Sequence, residues 1–337
     1  MTTVFVSGAT GFIAQETVKQ LVQKGYKVIG SVRSAERGDR LKKNLGSDNF
    51  TYEIVEDIQK EGSFDETLKK HPEVTIFLHT ASPFHFKTTD IENDLLKPAV
   101  EGTKNALKAI KEHGPNVKKV VITSSFAAIK KNTGDDNPNL VLTEESWNDS
   151  TKEQAVKDPL SGYIASKAFA EKAAWEFLEK EKPQFVLSTV NPTLVLGPQA
   201  FISEIKNELN TSSEVINSIL KSGPNDPLPP ILEFFIDVRD VAKAHIAAFE
   251  KKEAEGKRLL VSEGRFVAQN IVDYINKDFP QFKGKIAAGN PGQYPDFNAF
   301  SKIDNSKTRE ILGFDFINFE TCVKDTVQQI LDAGFSR

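Results

Sequence analysis

The 337-residue sequence predicts an α/β fold, in which a doubly wound parallel sheet is joined to a second, smaller mixed α/β lobe. Through the first half of the chain, short runs rich in Val, Ile and Phe alternate with helical segments, as in sheets buried on both faces. Glycines stand at the turn between the first run and the first helix. After residue 190 the alternation stops and the loop SGPNDPLPP follows. These observations predict right-handed βαβ crossovers followed by a separate lobe.

The apolar runs and the helical patterns define the elements. Strands are predicted at Val4–Val6, Lys27–Val32, Phe50–Val55, Thr75–His79, Lys119–Thr123, Phe185–Val190 and Arg258–Val261. Helices are predicted at Phe12–Gln23, Phe64–Lys70, Ile91–Glu112, Tyr163–Glu181, Val238–Glu250, Ala268–Asp278 and Phe319–Ala333. We expect the sheet domain to span residues 1–191 and 236–263, and the smaller lobe residues 192–235 and 264–337. A ligand cleft is expected between them.

The composition argues against several classes of protein. The 43 basic and 47 acidic residues are interleaved, so we expect no nucleic-acid-binding surface. No apolar stretch is long enough to cross a bilayer, and the start of the chain lacks a charged leader with an apolar segment. The single cysteine, Cys322, rules out an internal disulfide and fits a reducing compartment. We therefore expect a cytoplasmic monomer or homodimer with no membrane or nucleic-acid partner.

The first predicted strand leads directly into the glycine-rich segment SGATGFIA. Gly8 would permit the tight turn. Gly11, which follows Thr10, would let the backbone approach a pyrophosphate at the helix amino terminus, where free N–H groups favour an anion. Ala14 is small enough for the helix to lie close to the sheet. Because the spacing differs from the Gly-x-Gly-x-x-Gly fingerprint, the prediction depends on the position of the loop. A turn without a ligand is the alternative.

The second strand predicts NADP as the cofactor. NAD-binding domains usually end this strand with an acid that accepts hydrogen bonds from the adenosine ribose. Here no carboxylate precedes Arg33, which lies 33 − 14 = 19 residues after Ala14, where the acid is expected. A guanidinium offers donors for a 2′-phosphate and a flat face for adenine. Arg37 is a second phosphate contact or an exposed helix residue, and Asp57 is an adenine contact or a loop cap.

Two serines end another predicted strand. Ser124 and Ser125 follow Lys119–Thr123 at the carboxyl edge, where ligands bind in such sheets. Tyr163 lies 163 − 125 = 38 residues later, and Lys167 is four residues further along a predicted helix, on the same face. The Tyr-x-x-x-Lys spacing alone is a chance match, and strand-end caps and a core tyrosine are the alternatives. The order of loop, arginine, serines and Tyr-Lys pair favours a catalytic set.

Reduction of a carbonyl group needs these residue types. Hydride adds to the carbon while the oxygen gains a proton, which Tyr163 would donate. A free phenol has a pKa of about 10, and we expect the Lys167 ammonium to lower that pKa toward the range of a general acid–base. Ser125 would donate a hydrogen bond to the carbonyl oxygen as charge develops. Lys167 would also position the nicotinamide ribose.

The sequence resembles the extended short-chain dehydrogenase/reductases, a family of Rossmann-fold NAD(P) enzymes, and within it the dihydroflavonol-reductase-like subgroup. The matching stretches include VFVSGATGFIAQ, LHTASPF, VVITSSFAA, YIASKAFAEKAAWEFLE, VNPTLVLGPQ and IDVRDVAKAHIAAF. The resemblance implies Ser125, Tyr163 and Lys167 as the catalytic residues. With it, the expected NADP contacts are Gly8, Thr10, Gly11, Phe12, Ile13, Arg33, Arg37, Asp57, Ile58, Thr80, Tyr163, Lys167, Pro192, Leu194 and Val195.

The expected substrate is a small or medium carbonyl compound: an aldehyde, a methylglyoxal-like dicarbonyl compound or a ketone, which NADPH reduces to the alcohol. Ser125 and Tyr163 would contact the reacting group, and the candidate apolar walls are Phe84, Phe126, Leu194 and Phe201. Phe126 and Leu194 stand where the subgroup often has a tyrosine and another aromatic residue. The preferred carbonyl compound is therefore left open.

Two other functions share this fold. A nucleotide-sugar epimerase or dehydratase uses the same Ser-Tyr-Lys set but grips a diphosphate with cations, and residues 191–235 provide only Lys206 and Lys221. A non-catalytic NADP-sensing regulator can lack the Tyr-Lys pair, which is present here. His79 and His85 have no cysteine or carboxylate at ligand spacing, so no metal is expected.

Overall fold

The computed structural model describes residues 2–82, 88, 90–131, 135–205 and 209–334. Within these ranges the strands are β1 (Thr3–Ser7), β2 (Lys27–Val32), β3 (Phe50–Ile54), β4 (Val74–His79), β5 (Lys119–Thr123), β6 (Val141–Leu142), β7 (Val186–Pro192), β8 (Leu194–Leu196), β9 (Leu232–Asp237), β10 (Arg258–Val261), β11 (Gly264–Val267) and β12 (Lys302–Ile303). Every predicted strand is confirmed, with ends that differ by at most two residues.

The helices in the described ranges are α1 (Phe12–Gln23), α2 (Ala35–Leu45), α3 (Asp65–Lys70), α4 (Lys97–His113), α5 (Lys152–Ala155), α6 (Pro159–Glu181), α7 (Glu214–Lys221), α8 (Val238–Glu250), α9 (Ala268–Asp278), α10 (Ser306–Leu312) and α11 (Phe319–Asp332). The predicted helices are all present, and a π-helical turn over Glu92–Leu96 leads into α4. The sequence does not predict α2, because this charged helix buries little more than Gly38 and Leu41 and shows no apolar periodicity.

The main sheet is parallel, with the order β3-β2-β1-β4-β5-β7-β10. β1 pairs with β2 on one side and with β4 on the other, so the direction of winding reverses between β1 and β4. In open parallel sheets, ligands bind outside the carboxyl ends of the strands at this reversal. The predicted doubly wound fold is confirmed, and by this rule a ligand would bind beyond Ser7 and His79.

Both faces of the sheet are covered. All five residues of β1 are buried. Val4 and Val6 belong to one core, together with Val18 of α1. Phe5 belongs to the opposite core, where its ring stacks on Phe77 with 4.6 Å between the centroids. A strand packed on both faces has no polar alternation, which is why β1 reads as a continuous apolar run.

A second sheet of three strands contains β8, β9 and β11. β8 runs parallel to β9, and β11 runs antiparallel to it. The ring of Phe319 in α11 lies 4.5 Å from the centroids of both Phe235 and Phe266 in the core beneath this sheet. The sequence does not predict β8 or β9, because β8 has three residues and β9 directly follows a proline-rich loop.

Gly30→Ala is expected to lower the free energy of unfolding by about 1–3 kcal/mol. A methyl group on Gly30 in β2 would lie 2.6 Å from Ala9 Cβ and 2.9 Å from Phe50 Cε2, inside the packed core. Gly264→Ala is the control, because the nearest atom, in Phe235, would be 3.8 Å away. Urea unfolding measures both variants, and an equal loss in the two would contradict a packing cause.

Candidate active site

The helix α6 begins where a cap and a proline define its first turn. The Asp158 carboxylate accepts hydrogen bonds from two backbone N–H groups of this turn at 3.0 and 2.9 Å. Pro159 occupies the first helical position, where the missing N–H group costs no helical hydrogen bond. The helix therefore begins 163 − 159 = 4 residues before the predicted start. Tyr163 consequently lies in the second turn, with Lys167 one turn later on the same face.

Three side chains predicted for catalysis meet near the carboxyl end of β5. The Ser125 hydroxyl is hydrogen-bonded to Tyr163 and accepts a hydrogen bond from the Ala127 N–H group at 3.1 Å. Lys167 Nζ lies 5.3 Å from the centroid of the Tyr163 ring and donates to Ser82 Oγ at 2.6 Å. A phenol, an ammonium and two hydroxyls therefore form one polar cluster at the ligand-binding edge of the sheet.

Burial dominates the electrostatics of this cluster. It raises the pKa of Tyr163 to about 12, although the residue keeps intermediate exposure and the hydrogen bond with Ser125 acts in the opposite direction. It lowers the pKa of Lys167, which is 8 % exposed, to about 8. The predicted lowering of the Tyr163 pKa is therefore wrong for these protein groups, because removing solvent from the phenolate outweighs the hydrogen bond from Ser125. The phenol is protonated at neutral pH.

The turn between β1 and α1 has the backbone that a pyrophosphate site needs. Gly8 has φ of +65°, and a Cβ there would lie 3.0 Å from Ala81 Cβ, so a larger residue would be strained. The Gly8 N–H group donates to Ser31 Oγ at 3.0 Å. Gly11 precedes α1, whose first turn has no side-chain cap. Phe12 and Ile13 carry N–H groups of that first turn, which can therefore hydrogen-bond an anion.

The residues predicted to bind the 2′-phosphate and the adenine of the cofactor follow β2 and β3. Arg33 and Arg37 are exposed, and in the described part of the chain neither guanidinium has a hydrogen-bond or ion-pair partner. The Asp57 carboxylate accepts a hydrogen bond from the Gln59 N–H group at 2.8 Å, which is the loop cap considered above. Ile58 packs beside Gly102 of α4. Two unpaired cations therefore stand where a 2′-phosphate would lie in the predicted site.

The other predicted cofactor contacts lie at the ends of β4 and β7. The Thr80 N–H group donates to Ser7 Oγ at 3.0 Å, and the Thr80 hydroxyl donates to the Ser7 carbonyl oxygen. Pro192 is the buried last residue of β7. Leu194 packs toward the core of the second sheet, whereas Val195, 9 % exposed, packs in the core of the main sheet. β8 therefore links the two cores beside this edge.

The structure describes all but one of the residues predicted as apolar walls of the substrate pocket. Phe84 lies outside the described residues. The Phe126 ring is buried and contacts Phe234 of β9 with 5.8 Å between the centroids. Phe201 lies beside α1, where Lys19 Nζ is 5.9 Å from its ring centroid. Phe234 is an aromatic neighbour of the site that the sequence does not predict, because the sequence gives no clear strand signal for β9.

The sequence does not single out as site residues three polar residues near the reversal of the sheet. Ser7 Oγ lies 3.0 Å from His79 Nδ1 and also accepts from the backbone after β4. Burial, with a smaller effect of the Lys167 charge, lowers the pKa of His79 to about 4, so its ring is neutral at pH 7. Ser82 holds Lys167 Nζ. Their common position at or just beyond the carboxyl ends of β1 and β4 is the signal that could have identified them.

No cluster of three or more His, Cys, Asp or Glu side chains in the described residues has an arrangement that could hold a metal ion. Among the helices of the described ranges, none has the length and apolar character needed to span a membrane.

The fold and the site together define a class of protein. The NAD dependent epimerase/dehydratase family matches residues 4–261, from β1 to the end of β10. The chain belongs to this family, the extended short-chain dehydrogenase/reductases, and the resemblance drawn from the sequence is confirmed.

Particular relatives are similar over nearly the whole chain. A putative NADPH-dependent methylglyoxal reductase of Candida albicans is 59 % identical over 336 residues, which are 98 % of each chain. The crystal structure of Gre2 from Candida albicans in complex with NADPH has a TM-score of 0.96 and 52 % identity, and the match covers 99 % of both chains. The yeast methylglyoxal/isovaleraldehyde reductase Gre2, complexed with NADPH, has a TM-score of 0.95 and 47 % identity over 98 % of both chains.

Lys167→Met is expected to change the pH dependence of stability. The unfolded lysine stays protonated up to its ordinary pKa of 10.5, whereas the folded lysine loses its proton near pH 8. Between these values the unfolded state binds more protons, so the free energy of unfolding of the wild type should rise with pH, by about 3 kcal/mol in all relative to Lys167→Met. Urea unfolding from pH 7 to 10.5 measures this difference, and a pH-independent difference would contradict the shifted pKa.

Proposed function

We propose that the chain is an NADPH-dependent carbonyl reductase, which transfers a hydride to an aldehyde, a methylglyoxal-like dicarbonyl compound or a ketone and yields the alcohol. The observation that carries the proposal is the contact of a protonated phenol, Tyr163, with the Ser125 hydroxyl beside the Lys167 ammonium. The relatives support it, because the 59 % identical protein of Candida albicans is a putative NADPH-dependent methylglyoxal reductase and a 47 % identical protein of Saccharomyces cerevisiae is an NADPH-dependent methylglyoxal reductase.

The cofactor fits the residues that are present. The positive φ of Gly8 and the uncapped start of α1 suit a pyrophosphate, and the unpaired guanidinium groups of Arg33 and Arg37 suit a 2′-phosphate. In the proposal, NADPH is held by these groups and by the other predicted contacts: Thr10, Gly11, Phe12, Ile13, Asp57, Ile58, Thr80, Tyr163, Lys167, Pro192, Leu194 and Val195. Crystal structures of two relatives contain NADPH.

Three side chains of the protein have separate roles in the proposed carbonyl reduction. Bound NADPH supplies the hydride that adds to the carbonyl carbon. Tyr163 holds its proton throughout the neutral range, because its pKa is about 12, and donates it to the carbonyl oxygen as negative charge develops there. The Ser125 hydroxyl, oriented by the Ala127 N–H group, donates a hydrogen bond to the same oxygen. Lys167 is mainly charged below pH 8 and stabilises the phenolate that remains.

The domain division, the cellular location and the oligomeric state belong to the same proposal. Residues 1–191 and 236–263 form the NADP-binding domain, and residues 192–235 and 264–337 form the substrate lobe, with Ser125, Phe126, Tyr163 and Leu194 as substrate contacts. The core beneath the second sheet supports this division. A cytoplasmic location fits a chain whose single cysteine, Cys322, is buried and unpaired. The active unit is a monomer or a homodimer.

The alternative functions are less well supported. A nucleotide-sugar enzyme would need cations in residues 191–235, where Lys206 lies outside the described residues and Lys221 is paired with Glu214 at 3.6 Å. A non-catalytic NADP sensor would not need a Ser-Tyr-Lys cluster, which here is assembled and hydrogen-bonded. The names of the most similar relatives favour carbonyl reduction over both.

Tyr163→Phe is expected to lower kcat for NADPH-dependent reduction of methylglyoxal by about 100-fold or more, because the phenol proton has no replacement. The Kd of NADPH, measured by fluorescence titration, should stay within about threefold of the wild-type value, since the ring remains. Tyr26→Phe is the control. It removes a hydroxyl that donates to Glu250 at 2.6 Å, beside the amino end of β2 and remote from the site.

Three outcomes of that assay count against the proposal. Retained turnover in Tyr163→Phe would overturn the role of the phenol. An inactive wild type on a panel of aldehydes, dicarbonyl compounds and ketones would favour the sensor. NADPH consumption that requires a sugar nucleotide would favour the epimerase or dehydratase.

Arg33→Ala is expected to raise the Kd of NADPH by about tenfold or more, because a charge-assisted contact with the 2′-phosphate is lost. NADH lacks this phosphate, so its Kd should change little and the preference for NADPH should fall. Lys43→Ala is the matched control, because it removes one positive charge from the far end of α2, the helix that follows Arg33. Equal weakening of both dinucleotides in Arg33→Ala would contradict phosphate recognition.

A further inference from the structure

A buried carboxylate lies behind the catalytic cluster. Glu171 follows Lys167 by four residues and Tyr163 by eight, so all three lie on one face of α6. Its side chain is 1 % exposed and forms an ion pair with Arg258 of β10, with 2.6 Å between Oε1 and Nε. The mechanism proposed above makes no use of this pair.

The Glu171 carboxylate accepts hydrogen bonds from five side chains. One donor directly follows β5, two lie in β7, one lies in β10, and one comes from the next turn of α6. They are Ser124 Oγ, Trp175 Nε1 at 3.2 Å, Thr189 Oγ1 at 3.3 Å, Asn191 Nδ2 at 2.7 Å and Arg258 Nε at 2.6 Å. One side chain of α6 therefore holds together three neighbouring strands of the main sheet.

Several of these donors also hold the backbone on either side of Ser125. Ser124, which is bonded to the Glu171 carboxylate, directly precedes it. The Asn191 amide donates to the carbonyl oxygen of Ser125 itself at 3.3 Å. The Arg258 guanidinium donates to the carbonyl oxygen of Ala128, three residues later, at 3.4 Å. The segment that carries the catalytic hydroxyl is therefore tied at three points to a network centred on Glu171.

We propose that Glu171 is a positioning residue, which acts through Ser124, Asn191 and Arg258 to hold the Ser125 hydroxyl in register with Tyr163 on the same helix. This inference rests on the proposed reductase function. Transfer of the hydride and the proton needs the carbonyl oxygen to meet both hydroxyls at once, and a displacement of about 1 Å can cost about 100-fold in rate. A buried ion pair is by itself weak evidence that the pair stabilises the fold. The contacts between the Glu171 network and the Ser125 segment indicate instead that this ion pair fixes the geometry of the site.

Glu171→Gln is the informative substitution. It keeps the shape of the side chain but replaces one acceptor oxygen by an NH2 donor. Because donors occupy both oxygens, that NH2 group must face either the Ser124–Asn191 side or the Arg258–Trp175 side, and one part of the network is lost. We expect kcat for methylglyoxal to fall by about 10- to 100-fold. The Kd of NADPH should stay within about threefold.

A double-mutant cycle with Ser125→Ala shows whether Glu171 acts through the serine. In the Ser125→Ala background, Glu171→Gln should lower kcat by less than about threefold, because the group it positions is already absent. An equal fall in both backgrounds, or no fall in the wild-type background while the wild type is active, would overturn the inference. An inactive wild type would instead refute the proposed function.

A substitution at another buried carboxylate serves as the control for a general loss of stability. Asp240→Asn alters another fully buried carboxylate, whose hydrogen bonds in the described residues include those from Lys243 at 3.0 Å and the Ile317 N–H group at 2.6 Å. Both variants should have a lower Tm, but kcat per NADPH-binding site should fall only in Glu171→Gln. A similar fall in Asp240→Asn would attribute the effect to general destabilisation and overturn the inference.

If Glu171→Gln does not fold, Ser124→Ala replaces it. This variant keeps the ion pair and removes one tie to the Ser125 segment. The same cycle then applies, with an expected fall in kcat of about three- to tenfold that disappears in the Ser125→Ala background. An unchanged kcat in Ser124→Ala, or a fall that persists in that background, would overturn the inference.

Discussion

The site depends on the hydrogen-bonded register of three central strands. β1 pairs with β4 so that Ser7 lies opposite His79, and β4 pairs with β5 so that His79 lies opposite Ile122. The segments that leave these strands therefore start at one edge of the sheet, where Ser82 and Ser125 reach α6. A slip by one residue would turn every side chain of a strand to the opposite face. Because β1 is packed against a core on each face, the register is strongly specified.

Removal of water determines the charges at this edge. Burial lowers the pKa of Lys167 to about 8 and that of His79 to about 4, and it raises the pKa of Tyr163 to about 12. In each case the neutral form gains. The phenol consequently stays a proton donor across the neutral range, and near pH 8 it is the lysine that changes its charge. Proximity of a cation to a phenol, read from sequence spacing, does not predict this outcome.

Removal of water also affects the Glu171 network, which lies behind the site. Its carboxylate is buried, but donors from β7, from β10 and from Ser124 directly after β5 replace the lost water. The helical spacing of Glu171 from Tyr163 is visible in the sequence. Its partners are not, because Ser124, Asn191 and Arg258 come from segments far apart in the chain. The sequence therefore shows that Glu171 shares a helix face with Tyr163 and Lys167. The role of Glu171 can be inferred only from the residues that pack around it.

Short-range periodicity and the order of strand and loop are enough to predict the parallel sheet, the glycine turn and the elements that carry Arg33, Ser125, Tyr163 and Lys167. The second sheet, the helix α2 and the pKa values at the site are visible only in the packed molecule. β8 has only three residues, and the charged helix α2 buries little more than Gly38 and Leu41, so neither has an apolar pattern long enough to predict it. Solvent exclusion likewise arises from the whole packed molecule, so no stretch of sequence specifies it.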